Sequence, residues 1–262
     1  MAEVIVVANR EVAGALVAEA VERLAGERAD AVLGLATGST PLPVYRALAE
    51  RVAAGLDLSK LRGFALDEYV GIAAGHPQSY HSVIDREVVR PLHLDARRIH
   101  VPDGRSLGIE TAGARYEDAI LAAGGVDLQI LGIGTDGHIG FNEPGSSFAS
   151  LTRVKTLTEQ TRRDNARFFD SIDDVPLHSI TQGLGTILRA KRLVLLAFGR
   201  QKASAVAAAV EGPLSAGTPA SAIQLHPRAT VVVDEEAASQ LTQLDYYRHA
   251  FAHKPTWDPV IL

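Results

Sequence analysis

Short apolar runs alternate with amphipathic segments along most of this chain. In the amphipathic segments, apolar residues recur at the three-to-four-residue spacing that is typical of helices. The short apolar runs predict buried strands. The six predicted strands are Val4–Ala8, Ala31–Ala36, Arg62–Leu66, Val126–Ile133, Arg192–Phe198 and Thr230–Val233. The predicted helices include Val12–Leu24, a helix through Tyr45 and Leu48, Tyr80–Val89, Thr111–Ala122 and Lys202–Val210.

This alternation predicts an α/β fold over residues 1–262, which we interpret as one domain. Strands alternating with helices favour a mostly parallel central sheet with helices on both faces, in a Rossmann-like three-layer αβα arrangement. Its crossover connections should be right-handed. One segment, approximately residues 157–181, interrupts the pattern because it is polar and charged. A long insertion of that kind predicts a helical lid over an active site.

Composition and charge narrow the class of protein. The 262 residues carry a net charge of −5 without a basic run or stripe, so we expect no nucleic-acid partner. No apolar stretch approaches the ~18 residues that a membrane span needs, and no signal-peptide pattern opens the chain. We therefore expect a cytoplasmic protein without a membrane partner. Cysteine is absent, which excludes disulfides, thiolate catalysis and cysteine-based zinc sites.

A dense acid/base cluster follows the fourth predicted strand. Asp136, His138 and Glu143 lie within eight residues, directly after a glycine-bearing strand end. Ligands of open α/β sheets bind just outside the carboxyl ends of the strands, so these three groups are placed where such a fold does its chemistry. The alternative is a solvated turn whose aspartate caps a helix. A metal site is a further alternative, but no paired-histidine motif accompanies the cluster.

The sequence TGSTP at residues 37–41 joins a predicted strand to a predicted helix. Thr40 suits the N-cap and Pro41 the first helical position. Gly38 lets the backbone approach a ligand closely, and free N–H groups at the helix N-terminus would bind a phosphate. The motif is neither GxxxxGK[ST] nor GxGxxG, so it does not imply a nucleotide. A plain capped helix is the alternative reading.

Three further groups are candidates for the same edge of the sheet. Lys202 follows a predicted strand and could hold a phosphate as a point charge, although most lysines are simply solvated. Arg167, in the predicted lid, could add a second phosphate contact. Asp67 ends the third predicted strand among apolar neighbours, which would raise its pKa and suit it to act as a base. Sequence alone does not exclude Arg162 or Arg163 as the residue that makes this second phosphate contact.

Eight motifs occur in one order along the chain: TGSTP, LDEYVG, SYH, GIGTDGHIGFNEPGSSF, KTLTEQTR, NARFF, GRQKA and PASAIQLHP. In this order they resemble the glucosamine-6-phosphate deaminase (isomerising) family, from about residue 3 to 236. The related 6-phosphogluconolactonases share the fold, but they typically have arginine where this chain has Tyr69. They also lack the Asn-Glu-Pro sequence with which the loop motif ends here, at Asn142, Glu143 and Pro144.

The resemblance implies an enzyme that converts glucosamine 6-phosphate and water into fructose 6-phosphate and ammonia, without metal or other cofactor. It implies that Asp67 moves a proton from C2 to C1 and that His138 helps to open the sugar ring. Asp136 and Glu143 would orient that histidine and tune its charge. The residues that match the family's phosphate site are Gly38, Ser39, Thr40, Arg167 and Lys202.

Some members of this family are hexamers activated by N-acetylglucosamine 6-phosphate, whereas others are smaller and unregulated. The residues that resemble the activator site are Ser146, Arg153, Lys155, Thr156 and, with a less certain alignment, Tyr246. The resemblance therefore implies a homo-oligomer, with a hexamer favoured, and a second sugar-phosphate site. The aromatic tail, which holds Trp257, departs from the family pattern and could pack on a neighbouring subunit.

Three rival functions stay open at this point. A lactonase or an isomerase for another sugar phosphate would release no ammonia. A sugar-phosphate sensor would keep the fold and lack catalysis, although the intact acid/base set and the lack of a DNA-binding segment argue against it. A metal hydrolase would lose activity in the presence of a chelator.

Overall fold

A computed structural model describes residues 2–73, 75–255 and 261. Ten strands are found in this part of the chain: β1 Glu3–Val7, β2 Val32–Leu35, β3 Arg62–Ala65, β4 Asp67–Tyr69, β5 Ile99–His100, β6 Leu128–Gly132, β7 Arg153–Thr156, β8 His178–Thr181, β9 Leu193–Ala197 and β10 Ala229–Asp234. The α-helices there are α1 Arg10–Glu27, α2 Leu42–Ala53, α3 Tyr80–Ile84, α4 Ile109–Ala122, α5 Glu159–Asn165, α6 Leu184–Leu188, α7 Ala203–Val210 and α8 Leu244–Ala252.

Seven strands form a central sheet in the order β1-β10-β9-β6-β2-β3-β5, and every neighbouring pair is parallel. Helices flank this sheet, so the predicted α/β class is confirmed. All six predicted strands belong to it, with ends that differ from the prediction by one or two residues. The seventh strand, β5, was not predicted because it has only two residues.

A second sheet lies outside the predicted pattern. Its three short strands run antiparallel in the order β4-β8-β7. Asp67 pairs with Thr181, and Thr181 pairs in turn with Arg153, so these three residues form one cross-strand row. Strand β8 occupies the end of the segment predicted as a helical lid, which is therefore helical only in its earlier part, over α5 and the two 3₁₀ turns that follow.

The start of α2 differs from the prediction by one residue. The helix begins at Leu42, with Pro41 rather than Thr40 at the cap position and without a side-chain cap bond. The Pro41 carbonyl accepts hydrogen bonds from the backbone N–H groups of Val44 and Tyr45. Proline needs no N–H partner of its own, so it can precede the first turn without an unsatisfied donor. The prediction that Thr40 is the N-cap is wrong.

The first two long helices pack closely through a glycine. A Cβ atom added to Gly14 of α1 would lie 2.6 Å from both the carbonyl carbon and the carbonyl oxygen of Pro43 in α2. Only a residue without a side chain allows the two backbones to approach this closely. The loop between β2 and α2 follows the carboxyl end of β2, so it lies at the carboxyl edge of the sheet. Among the described residues, no helix is both long enough and apolar enough to cross a membrane.

Candidate active site

Four loops meet at the carboxyl edge of the central sheet and line one cavity of about 890 Å³. They follow β2, β3, β6 and β9, as the parallel topology requires. The predicted site residues that line this cavity are Gly38, Ser39, Thr40, Asp67, His138, Arg167 and Lys202. Asp136 and Glu143 do not line it. They lie beside His138, close to its Nδ1.

The imidazole of His138 is held between two carboxylates. Its Nδ1 lies 2.6 Å from Asp136 Oδ1 and 3.8 Å from Glu143 Oε2. The short contact with Asp136 lacks the alignment of a hydrogen bond, so we treat it as a charge contact. Asp136 Oδ1 also accepts the backbone N–H of His138 at 3.2 Å. Because Nδ1 is buried against the carboxylates, Nε2 is the ring nitrogen left for a ligand in the cavity.

Asp136 remains ionised in this arrangement. Its partial burial raises the pKa, but the contacts with His138 outweigh that effect and lower the pKa of Asp136 to about 2. A carboxylate that stays negative beside Nδ1 fixes the orientation of the ring. Nε2 is then the ring nitrogen that can exchange a proton with a bound ligand.

Glu143 is almost completely buried and is held by Thr158, near the start of the lid segment. Thr158 donates its backbone N–H to Glu143 Oε1 at 3.0 Å and its hydroxyl to Oε2 at 3.3 Å. Thr158 is also the N-cap of α5. Sequence reasoning missed Thr158, although a threonine followed by glutamate at the start of a polar segment is a recognisable N-cap signal.

Asp67 is buried at the start of β4, with only 5% of its surface exposed. Burial, together with the charge of Glu68, raises its pKa well above the usual aspartate value. The direction agrees with the expectation from the apolar neighbours. Gly140 lies beside it, since a Cβ on Gly140 would be 3.5 Å from Asp67 Oδ2 and 3.0 Å from Thr181 Oγ1. The glycine leaves this carboxylate open to the cavity.

Glu68 has a structural role, because it binds the neighbouring backbone. Its two carboxylate oxygens accept the backbone N–H groups of Tyr69, Tyr80 and His81 at 2.8, 2.8 and 3.0 Å. Burial raises the pKa of Glu68, and the three N–H donors act in the opposite direction. The side chain therefore attaches the start of α3 to β4, and it places a second carboxylate next to Asp67.

Basic side chains and a glycine-bearing loop also line the cavity. Gly38 has a φ of +83° with open space where a Cβ would be, which leaves the backbone free to approach a ligand. Burial lowers the pKa of Lys202, and its electrostatic neighbours are Asp164, Arg167 and Asp136. A partly desolvated ammonium group beside a guanidinium group and free backbone N–H groups is suited to a phosphate dianion.

The structure distinguishes the three candidate arginines. Arg162 donates to the carbonyl oxygens of Val175 and Ile172, and Arg163 forms an ion pair with Glu159. Arg167 alone among them lines the cavity, with its guanidinium carbon 4.7 Å from the centre of the Phe168 ring. The geometry therefore favours Arg167 for a phosphate contact.

An aromatic cluster joins the lid segment to the catalytic loops. Tyr69 packs against the rings of Tyr80, Phe141 and Phe169 at centroid distances of 4.9, 5.5 and 5.6 Å. Phe169 belongs to the lid segment, whereas Phe141 lies between His138 and Glu143. The lid segment is thus packed on the same side chains that support the reactive groups.

The geometry also permits a metal ion. One donor atom each from Asp136, His138 and Glu143 can be chosen so that all three lie within 4.8 Å of one another. Such nitrogen and oxygen donors would suit a divalent transition metal. These donor atoms already have partners within the protein, however. Nδ1 contacts Asp136, and both oxygens of Glu143 accept hydrogen bonds from Thr158.

Only some of the residues that resemble an activator site lie close to one another. Arg153 and Lys155 lie two positions apart on β7, and Arg153 donates to Asn142 Oδ1 at 2.9 Å. Ser146 is buried and donates its hydroxyl to the Glu143 carbonyl. Thr156, also on β7, is exposed. Tyr246 is 57% exposed on α8, a helix that packs against β1 at the edge of the central sheet. Trp257 lies outside the described residues.

Comparison with known proteins places the chain among sugar-phosphate enzymes. The family of glucosamine-6-phosphate isomerases/6-phosphogluconolactonase matches residues 8–233. The chain is 58% identical over 258 residues to a glucosamine-6-phosphate deaminase of Pseudarthrobacter chlorophenolicus, which covers 98% of this chain and 100% of the relative. It is 59% identical over 260 residues to the Streptomyces coelicolor deaminase, with coverage of 98% and 100%. A solved monomeric glucosamine-6-phosphate deaminase has a TM-score of 0.88 and 42% identity, covering 91% of this chain and 99% of its own.

Proposed function

The chain belongs to the family of glucosamine-6-phosphate isomerases and 6-phosphogluconolactonases, and we propose that it is the deaminase of that family. The reaction converts glucosamine 6-phosphate and water into fructose 6-phosphate and ammonia. The observation that carries this proposal is one cavity lined by a buried carboxylate, Asp67, by the imidazole of His138 and by the cationic groups of Arg167 and Lys202. That lining suits an aldose phosphate, because it offers acid/base groups for the reacting carbons and cationic groups for the phosphate.

Ring opening is the first step, and His138 performs it. The imidazole donates a proton through Nε2 to the ring oxygen, which becomes the C5 hydroxyl, while the C1–O5 bond breaks and water accepts the proton of the C1 hydroxyl. Asp136 keeps the ring in the orientation that presents Nε2, and Glu143 adds a second negative charge near Nδ1. The open-chain aldehyde makes the C2 proton acidic enough to be removed.

Asp67 then transfers a proton between neighbouring carbons. It accepts the proton from C2, which gives an enolamine, and returns the proton to C1, which gives an imine at C2. Water attacks this imine, and ammonia leaves with fructose 6-phosphate as the other product. A carboxylate whose pKa is raised by burial is a stronger base than an exposed one. The transfer requires no redox cofactor.

The phosphate group is held by other residues of the same cavity. The backbone of Gly38, Ser39 and Thr40 and the side chains of Arg167 and Lys202 bind it. This binding energy lies away from C1 and C2, so it positions the sugar for both proton transfers. The lid segment, which carries Arg167, closes over the substrate and excludes water.

The decisive experiment measures ammonia and fructose 6-phosphate in stoichiometric amounts from glucosamine 6-phosphate, with EDTA present. We expect unchanged turnover in EDTA, because acid/base groups suffice for every step. Loss of activity that returns with a divalent ion would support a metal enzyme instead. Binding of the sugar phosphate without ammonia release would support a sensor.

An Asp67→Asn variant tests the assignment of the base. We expect turnover to fall by about a hundredfold or more, because amide groups do not accept the C2 proton. We also expect a higher melting temperature at neutral pH. The raised pKa of Asp67 means that ionisation costs the folded state stability as pH rises above the unfolded-state pKa, and asparagine removes that cost. Normal turnover in a folded variant would refute the assignment.

A second sugar-phosphate site is part of this proposal. Arg153 and Lys155, with Ser146, Thr156 and Tyr246, bind N-acetylglucosamine 6-phosphate as an activator in a cytoplasmic homo-oligomer, with a hexamer favoured. The Arg153 contact with Asn142, next to Glu143, supports a link between this region and the reactive groups. Sedimentation and kinetics test it. A monomer with hyperbolic kinetics that the activator leaves unchanged would refute it.

A further inference from the structure

The loop that carries Lys202 is short and tightly turned. It leaves β9 at Ala197 and passes through Gly199, whose φ of +84° is a conformation that side chains disfavour. The Gly199 carbonyl then accepts the backbone N–H of Lys202 at 3.0 Å. This bond closes a 3₁₀ turn over Arg200–Lys202, from which α7 continues.

A carboxylate on the neighbouring strand accepts the backbone N–H of the same glycine. Asp234 ends β10, which pairs with β9. Its Oδ1 and Oδ2 both lie 3.0 Å from the Gly199 backbone nitrogen and accept its N–H. Oδ1 also accepts the N–H of Ala237 at 2.8 Å, which fixes the side chain from its own loop.

Two hydrogen bonds through one residue therefore join Asp234 to Lys202. The first reaches the Gly199 N–H, and the second runs from the Lys202 N–H to the Gly199 carbonyl. The Lys202 ammonium group itself has no hydrogen bond or ion pair among the described residues. Its position in the cavity consequently depends on its backbone, and the turn at Gly199 sets that backbone.

We propose that Asp234 is a positioning residue for substrate binding, because its carboxylate fixes the turn that presents Lys202 to the phosphate. This inference rests on the proposed function. Asp234 does not line the cavity and touches no substrate atom, so its effect is transmitted through the turn. Because the phosphate is bound in both the ground state and the transition state, loss of the carboxylate should mainly raise KM.

The test compares Asp234→Ala with Asp234→Asn. Alanine removes every acceptor, whereas the Oδ1 of asparagine can still accept from both Gly199 and Ala237. We expect alanine to raise KM about tenfold, with kcat changed less than about threefold, and asparagine to stay near wild type. Calorimetric binding of inorganic phosphate should weaken in parallel, which is a readout independent of turnover.

A double-mutant cycle with Lys202→Ala separates positioning from general loosening. If Asp234 acts through Lys202, then Asp234→Ala should change KM less than about twofold when Lys202 is already alanine. An equal increase of KM in both backgrounds would overturn the proposal, as would wild-type KM in Asp234→Ala. If the alanine variant fails to fold, Asp234→Glu replaces it, since the longer side chain displaces the carboxylate and should also raise KM. Unchanged KM in that variant would overturn the proposal.

An incorrect role for Asp234 can be distinguished from an incorrect assignment of the reaction. If the wild-type protein releases no ammonia, the proposed reaction is wrong. If Lys202→Ala leaves KM and phosphate binding unchanged, the assignment of the phosphate site is wrong. If both of those results are as expected and only the Asp234 variants behave otherwise, the positioning role alone is refuted.

Discussion

Thr158 holds the Glu143 carboxylate with both of its donors, the backbone N–H at 3.0 Å and the side-chain hydroxyl at 3.3 Å. The same hydroxyl accepts the backbone N–H of Thr161 at 3.2 Å and so caps α5. A single residue thus links the carboxylate beside His138 to the first turn of the lid segment. We therefore expect substitutions at Thr158 to affect both the lid segment and the imidazole.

Thr158→Val should weaken both functions of that threonine. The hydroxyl is lost, so Glu143 keeps only the backbone donor and α5 loses its N-cap, which costs about 1 kcal/mol. We expect kcat to fall severalfold and the amide protons of α5 to exchange faster with solvent. Thr158→Ser keeps the hydroxyl and is the matched control. Equal kcat in Thr158→Val and Thr158→Ser would mean that the Thr158 hydroxyl does not affect the orientation of the imidazole.

Asp136→Asn and Glu143→Gln should differ in severity. Asp136 lies 2.6 Å from Nδ1 and stays ionised because its pKa is about 2, whereas Glu143 lies 3.8 Å away. We expect the asparagine substitution to lower kcat by about a hundredfold or more, because the neutral amide no longer holds the imidazole in its orientation. The glutamine substitution should cost less. A larger loss in Glu143→Gln, measured at saturating substrate, would reverse this order.

Glu68→Gln should move the acid limb of the pH profile. Asp67 must be ionised to accept the C2 proton, so kcat/KM falls as the pH drops through its pKa. Burial is the main cause of that raised pKa, and the charge of Glu68 adds to it. Removing this charge lets Asp67 ionise at lower pH, so the limb should shift to lower pH. Tyr69, Tyr80 and Tyr116 also interact with Asp67, but their raised pKa values keep them neutral there.

Glu68→Asp is the control for this experiment, since it keeps the negative charge while shortening the side chain. Its acid limb should stay near the wild-type position even if activity falls. An unchanged limb in Glu68→Gln would mean that the charge of Glu68 does not reach Asp67.

Two glycines of α1 should respond oppositely to alanine. A Cβ on Gly14 would lie 2.6 Å from backbone atoms of Pro43, so Gly14→Ala must push the helices apart and should destabilise the fold by about 1–3 kcal/mol. No atom lies within 4 Å of the corresponding position on Gly26, where alanine should stabilise the helix by about 0.5–1 kcal/mol. Denaturant unfolding measures both. A neutral Gly14→Ala would mean that the α1–α2 contact relaxes freely.

The central sheet could be predicted because its longer strands, such as β1, β9 and β10, consist mostly of apolar residues. Buried parallel strands such as β9 and β10 need apolar residues on both faces, and that demand is visible in the sequence. The placement of Asp67, His138 and Lys202 at one edge then follows from topology, since the carboxyl ends of parallel strands meet there.

The small antiparallel sheet could not be predicted in the same way. Strand β4 has only three residues and is separated from β3 by Leu66 alone, so the two merge into one pattern. Strand β7 is the polar tetrapeptide RVKT, and β8 was hidden at the end of the lid segment. Short strands of this kind depend on partners distant in sequence rather than on a local period.

The supporting residues were missed for a related reason. Glu68, Thr158 and Asp234 act by accepting from, or donating to, groups whose positions are known only after the chain has folded. An aspartate after a strand and a glutamate beside a candidate base have many possible uses, and sequence shows no preference among them.

The strand order has a consequence for synthesis on the ribosome. Within the described sheet, β1 emerges before the other strands, but its only neighbour there is β10, which emerges after them. Strands β2, β3, β5 and β6 can pair as they leave the exit tunnel, while β1 stays without its partner until β10 has been translated. The nascent protein therefore carries an apolar segment that must be kept from aggregation, and a ribosome stalled before β10 would release a chain whose first strand has no place to bind.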